Sequence, residues 1–130
     1  MHQKTKPYII NLEKIPGKGG DLSFIDEELP FVIQRVFWVY NVEKKVKRGY
    51  HAHKNSKKCI ICLHKSVQVK ILNNNGKEYT FDLNDPTQVL FFPPMHWIEL
   101  TFEKNATIVV LASSTYEEDQ LISDKNSLLN

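Results

Sequence analysis

Apolar and polar positions alternate over short stretches that end at turn residues, a pattern that predicts strands rather than helices. Residues 8–12, 22–25 and 32–42 are rich in β-branched and aromatic side chains. Residues 59–63, 66–72, 78–83, 88–92, 96–102 and 107–112 continue the series. Between them lie Pro16-Gly17-Lys18-Gly19-Gly20, Asn73-Asn74-Asn75-Gly76, Asn84-Asp85-Pro86 and Pro93-Pro94. The asparagine run ending in Gly76 is the strongest hairpin signal. No segment before residue 113 keeps a helical period. Residues 116–122 suit a short helix or a last strand, and the polar stretch 123–130 reads as a loose tail. Nine or ten short strands predict an all-β sandwich or closed barrel.

In residues 32–42, Ile33, Arg35, Phe37 and Val39 alternate with Gln34, Val36, Trp38 and Tyr40. Both faces are largely apolar, which predicts burial on both, as where a strand crosses a barrel or a subunit interface. An inward Arg35 then requires an anionic partner, because an unpaired buried charge is costly.

The chain of 130 residues has the length of one domain, 1–130, and its 42% hydrophobic and 25% charged residues are ordinary for a soluble protein. A net charge of +2 is too small for the usual nucleic-acid footprint. No apolar run reaches the ~18 residues of a membrane helix, and MHQKTKPYII lacks the pattern of a secretory signal. These features predict a cytoplasmic protein with no nucleic-acid or membrane partner. Cys59 and Cys62 form a CxxC within an apolar run that reads as a strand, where residues three apart point to opposite faces. Two reduced thiols, at least one packed as a small hydrophobe, are expected.

The segment Arg48-Gly49-Tyr50-His51-Ala52-His53-Lys54 carries the chemistry. If it is extended, His51 and His53 leave one face about 7 Å apart. Such a pair can bind a metal as neutral ligands or act as general acid and base near neutral pH.

An HxH in a small all-β chain resembles the start of the first cupin motif. A metal-binding cupin continues with a glutamate four or five residues after the second histidine; Lys57 and Lys58 stand there. In the second motif, Ile98 occupies the histidine register and His96 comes two places early. Cations where a carboxylate ligand belongs argue against a metal site. The ordered segments LSFID, LPF, RVFWVY, RGYHAHK, FFPPMHW and LASSTYEEDQLI are more specific. Over about residues 8–122 they resemble the WxcM-like sugar-nucleotide 3,4-ketoisomerases of the cupin superfamily.

That resemblance implies a cupin-type double-stranded β-helix (a jelly-roll barrel) and a substrate such as dTDP-4-keto-6-deoxyglucose. It implies an isomerase of deoxy- and amino-sugar biosynthesis, in routes to glycans such as lipopolysaccharide, that moves the keto group from C4 to C3 with no cofactor and no metal. His51 is then the main base and His53 its partner or an oxygen-side acid. The resemblance also implies roles for other residues: Tyr40 and Arg48 match the family's tyrosine and arginine. Arg35 and Arg48, whose guanidinium forks match phosphate geometry, are then candidate contacts for the diphosphate. Trp97 and Phe92 are candidates to wall the cavity or stack on the base, and His96 and Glu99 are further candidate substrate contacts. A homodimer with exchanged N-terminal strands is also implied. Gly19 and Ile98 depart from the family pattern in the region that shapes the sugar pocket, and Lys65 replaces a turn glycine. A non-catalytic sugar-nucleotide binding module, a 3,5-epimerase and a metal-dependent cupin are the alternatives.

Overall fold

The computed structural model describes residues 5–129. Its strands are β1 (Tyr8–Asn11), β2 (Ile15–Gly17), β3 (Gly20–Leu22), β4 (Arg35–Val39), β5 (Val46–His53), β6 (Lys58–His64), β7 (Val67–Leu72), β8 (Glu78–Leu83), β9 (Gln88–Phe92), β10 (Trp97–Phe102), β11 (Thr107–Ala112) and β12 (Leu121–Ile122), followed by the helix α1 (Lys125–Leu128). One antiparallel sheet runs β1-β9-β6-β11-β4 and the other β12-β5-β10-β7-β8, while β2 and β3 form a separate hairpin. The two sheets close on each other as a cupin-type jelly roll, the expected fold class.

Alternation decides what lies between the sheets. Ile60, Cys62, Leu90 and Phe92 from the first sheet meet Val67, Val69, Ile71, Ile98, Leu100 and Phe102 from the second. The intervening residues of the first sheet, Cys59, Ile61, Val89 and Phe91, face outward under a cover made by Tyr8, Ile10, Leu12, Ile25, Leu29 and Phe31. Cys59 and Cys62 therefore occupy opposite faces, as strand periodicity predicts, and both are free thiols. Burial pushes the Cys59 thiol up to about 12, which makes it a poor nucleophile.

Two expectations differ from the structure. The long strand of residues 32–42 contracts to Arg35–Val39, and as an edge strand it leaves Val36, Trp38 and Tyr40 about half exposed in the single chain. β1 pairs with β9, with Tyr8 opposite Phe91 and their rings 5.2 Å apart. The polar stretch after residue 122 is not loose over its described part. Asp124 caps α1, and Leu128 is buried against Ala52 and Trp97, a single apolar anchor that the polar composition conceals. Residues 1–4 and Asn130 lie outside the described residues. Among the described residues, no helix is long and apolar enough to cross a membrane.

Candidate active site

β5 carries the histidines and is reset just before them. Gly49 has φ +93° and Tyr50 φ +61°. Against β10, Gly49 lies opposite Glu99 and His51 opposite Ile98, so Tyr50 is an extra residue in a β-bulge. Only glycine fits at 49, because a Cβ there would lie 2.9 Å from the Ile98 carbonyl oxygen. Beyond the bulge, His51 shares the inward face of Ile98, while Ala52 turns outward with Trp97.

The histidines open into a cavity of about 540 Å³ lined by Arg35, Phe37, His51, His53, Lys58, Tyr116, Asp119 and Leu121. It lies where the connection from β11 to β12 crosses from one sheet to the other. That connection is a built turn. Thr115 donates its N–H to Glu118 Oε1, and Glu118 returns its N–H to Thr115 Oγ1, the reciprocal pairing of a capping box. Asn55 holds the Glu118 carbonyl, and the Lys54 N–H donates to the Gln120 carbonyl. Asp119 is thereby aimed inward.

Asp119 is the hub. Its Oδ2 accepts from Arg35 Nη2 at 2.7 Å, Lys58 Nζ at 2.9 Å and His53 Nδ1 at 2.9 Å, and Oδ1 also lies 2.9 Å from His53 Nδ1. Burial alone would raise its pKa, but the hydrogen bonds and charges of Lys58 and His53 prevail and hold it at about 2. The anionic partner that an inward Arg35 required is thus present.

The tautomers follow from these acceptors. His51 donates Nδ1–H to the Gly49 carbonyl at 3.0 Å, and His53 donates Nδ1–H to Asp119, leaving both Nε2 lone pairs free. The two Nε2 atoms stand 3.1 Å apart with the rings nearly perpendicular at 85°. That separation is a hydrogen-bond length, and a single added proton would be held between the two nitrogens. The surroundings make such a proton easy to give up. Burial, then the Lys58 charge, lowers His53 to about 4, and burial also lowers His51 against the opposing pull of the Gly49 carbonyl.

These shifts predict an acid-labile fold. Between pH 6.5 and about 4 the unfolded chain protonates His53 and the folded chain does not, so stability is complete above pH 6.5 and falls with pH. The loss amounts to about 3 kcal/mol for His53 by pH 4, at 1.36 kcal/mol per unit. Asp119 adds a second loss in the same direction between its ordinary 3.8 and about 2. Urea midpoints measured from pH 7 down to pH 3.5 check this, and a flat profile would contradict it.

Of the sequence-predicted residues, His51, His53 and Arg35 come together in the cavity. The others do not line it. Tyr40 falls on the strand parity opposite to Arg35 and Phe37 and is exposed. Arg48 is exposed on β5 three residues before His51. Trp97 and Glu99 face outward, the indole N–H donating to Glu99 Oε2 at 3.0 Å and Lys125 Nζ closing on the same oxygen at 3.2 Å, so both serve the docking of α1. His96 is buried and donates Nδ1–H to the Pro94 carbonyl. Phe92 belongs to the core. The sequence reading missed Lys58, Asp119, Tyr116, Phe37 and Leu121 as site residues. For Asp119 the usable signal was the T-x-x-E pattern at Thr115 and Glu118 together with the unmet need of Arg35. Among the described residues, no group of three or more His, Cys, Asp or Glu is gathered to hold a metal ion.

The family model described as FdtA (WxcM-like, C-terminal) matches residues 5–130. A TDP-4-oxo-6-deoxy-α-D-glucose-3,4-oxoisomerase from Aneurinibacillus thermoaerophilus is 33% identical over 117 residues, which cover 88% of this chain and 84% of that protein. Among solved structures, QdtA, a sugar 3,4-ketoisomerase from Thermoanaerobacterium thermosaccharolyticum in complex with TDP, superposes with a TM-score of 0.87 at 33% identity, covering 95% of this chain and 92% of its own. A 3,4-ketoisomerase from Helicobacter canadensis gives a TM-score of 0.88 at 29% identity, covering 96% of each chain. With the cupin barrel, the histidine strand and these matches over nearly its whole length, the chain belongs to the WxcM-like FdtA family.

Proposed function

We propose that this protein isomerises a TDP-linked 4-keto-6-deoxyhexose, moving the keto group from C4 to C3. The observation that carries the reading is the histidine pair, two inward Nε2 lone pairs 3.1 Å apart with each tautomer fixed by its own acceptor. The carbonyl at C4 acidifies the C3 proton, which His51 Nε2 takes. The C–H electron pair forms the C3–C4 double bond, and the carbonyl pair withdraws to O4. The captured proton rests between the two Nε2 atoms as a monocation. The O3 proton then passes to O4, the held proton goes to C4, and the pair returns to its neutral form with the carbonyl at C3.

Arg35 and Lys58 place positive charge beside the enediolate as it develops. His51 is the base, and His53, whose ring Asp119 holds in place, is its partner in carrying the captured proton. Arg48, exposed on the same strand, is the proposed diphosphate contact. Two imidazoles beside a carboxylate already saturated by cations, with an ammonium among them, suit metal-free proton transfer. The free thiols support a reducing, cytoplasmic setting, and a deoxy- or amino-sugar pathway would use the product.

The test is a proton NMR time course with TDP-4-keto-6-deoxyglucose in deuterated buffer without added metal. A 3-keto isomer supports the reading, and protium or deuterium at its C4 reports whether the held proton returns directly or exchanges with solvent first. Exchange at C3 or C5 without that isomer points to epimerisation, and binding of the nucleotide sugar without change points to a binding module.

We further propose a homodimer. The edge strand β4 exposes Val36 and Trp38, Tyr40 just after it is exposed as well, and the β2–β3 hairpin exposes Ile15 and Leu22, apolar surface of the kind a subunit interface covers. Light scattering is expected to give a mass near twice 15.2 kDa, and a monomer mass would count against it.

A further inference from the structure

We propose that Lys58 is a positioning residue for the histidine pair: its buried ammonium neutralises Asp119, so the carboxylate fixes the His53 ring without drawing a proton onto it. This rests on reading the pair as the proton-transfer groups.

Lys58 is an unusual occupant of its place. It opens β6, a run of buried apolar residues, and its side chain is only 2% exposed. A lysine this deep costs desolvation that a methionine of similar volume avoids. Its Nζ shares Asp119 Oδ2 with Arg35 and His53 and lies 5.3 Å from the centre of the Phe37 ring. A lone aspartate against an imidazole stabilises the imidazolium, which would fill the lone pair that a base needs. Here the carboxylate meets two fixed cations before it meets the ring.

The groups that face His53 are His51 on its own strand, Lys58 on β6, Arg35 on β4 acting through Asp119, Asp119 and Tyr116 on the β11–β12 connection, and Leu121 on β12. Asp119 is the only anion among them. With Lys58 in place the cluster carries a surplus of positive charge even when both imidazoles are neutral. Without it, Asp119 and Arg35 balance, and an added proton on the pair no longer faces a repelling ammonium. Lys58 thus separates the two effects of Asp119, keeping its geometry and cancelling its charge.

Lys58→Met and Lys58→Arg test this through the histidine side-chain nitrogen and carbon resonances, followed from pH 8 to pH 4. In Lys58→Met, His53 is expected to titrate at higher pH than in the wild type, moving from about 4 toward the ordinary 6.5. The acid limb of the kcat/KM profile is expected to move up with it, each pH unit costing about tenfold in activity at a fixed acid pH. Lys58→Arg keeps the charge and is expected to titrate as the wild type does. A purely structural lysine would alter the melting temperature and leave both titrations where they were. A folded Lys58→Met in which His53 titrates at the wild-type pH overturns the proposal. If Lys58→Met does not fold, Lys58→Gln, which keeps a polar contact to Asp119 without the charge, gives the same two outcomes. The resonances are read without turnover, so an inactive wild type would refute the isomerase reading and leave this one standing or falling by itself.

Discussion

Replacing His51 with asparagine is expected to lower kcat/KM for the keto sugar by about 10³, within the range for loss of a general base. The amide has no basic lone pair at the position of Nε2, so the C3 proton has no acceptor. It does fill similar space opposite Ile98, so the barrel is expected to stay folded. Affinity for TDP is expected to remain within about threefold, because in the proposed mechanism His51 acts on the bond to C3 and Arg48 contacts the diphosphate. Steady-state kinetics with calorimetric titration of TDP separates the two effects. Retention of activity within about tenfold would remove His51 as the base and shift that role to His53.

Replacing Asp119 with alanine acts on stability and turnover together. Its side chain is 5% exposed and is the shared partner of Arg35 and Lys58, which are 18% and 2% exposed. Removing the anion leaves two cations against each other at the mouth of the barrel, a situation that typically costs 3–5 kcal/mol; part of Arg35 reaches water, so about 3 kcal/mol is expected. Urea unfolding at pH 7.5 measures it, and a loss below about 1 kcal/mol would show that the cluster is not held by this carboxylate. Turnover is also expected to fall, since His53 loses the acceptor that fixes its ring. Adding Lys58→Met to the alanine variant should restore part of the stability by removing one of the stranded cations, a coupling a double-mutant cycle resolves.

Strands were legible where alternation and turn chemistry agreed. The segments at Glu78–Leu83, Gln88–Phe92 and Thr107–Ala112 match to the residue. Legibility failed where tertiary partners decide. Residues 32–42 have strand composition throughout, but only Arg35–Val39 finds a neighbour in β11. In the site, the histidines stood out because two of them two apart on a strand share a face. Tyr40 and Trp97 lie off the cavity because parity turns them away: Tyr40 is odd-stepped from Phe37, and Trp97 is one step from the residue that faces His51. Lys58 was hidden within an apolar run, where its neighbours suggested packing. Asp119 was invisible to any local window, since it meets Arg35 across 84 positions and His53 across 66.

That separation also sets an order of events as the chain is made. β4, β5 and β6, which carry Arg35, His53 and Lys58, are all synthesised more than fifty residues before Asp119. During that interval Arg35 and Lys58 lack the carboxylate that joins them, and His53 has nothing to fix its tautomer. A released chain ending shortly after Ala112 would keep the strands of both sheets except β12, and His51 with its Gly49 acceptor, but not the carboxylate that orients His53.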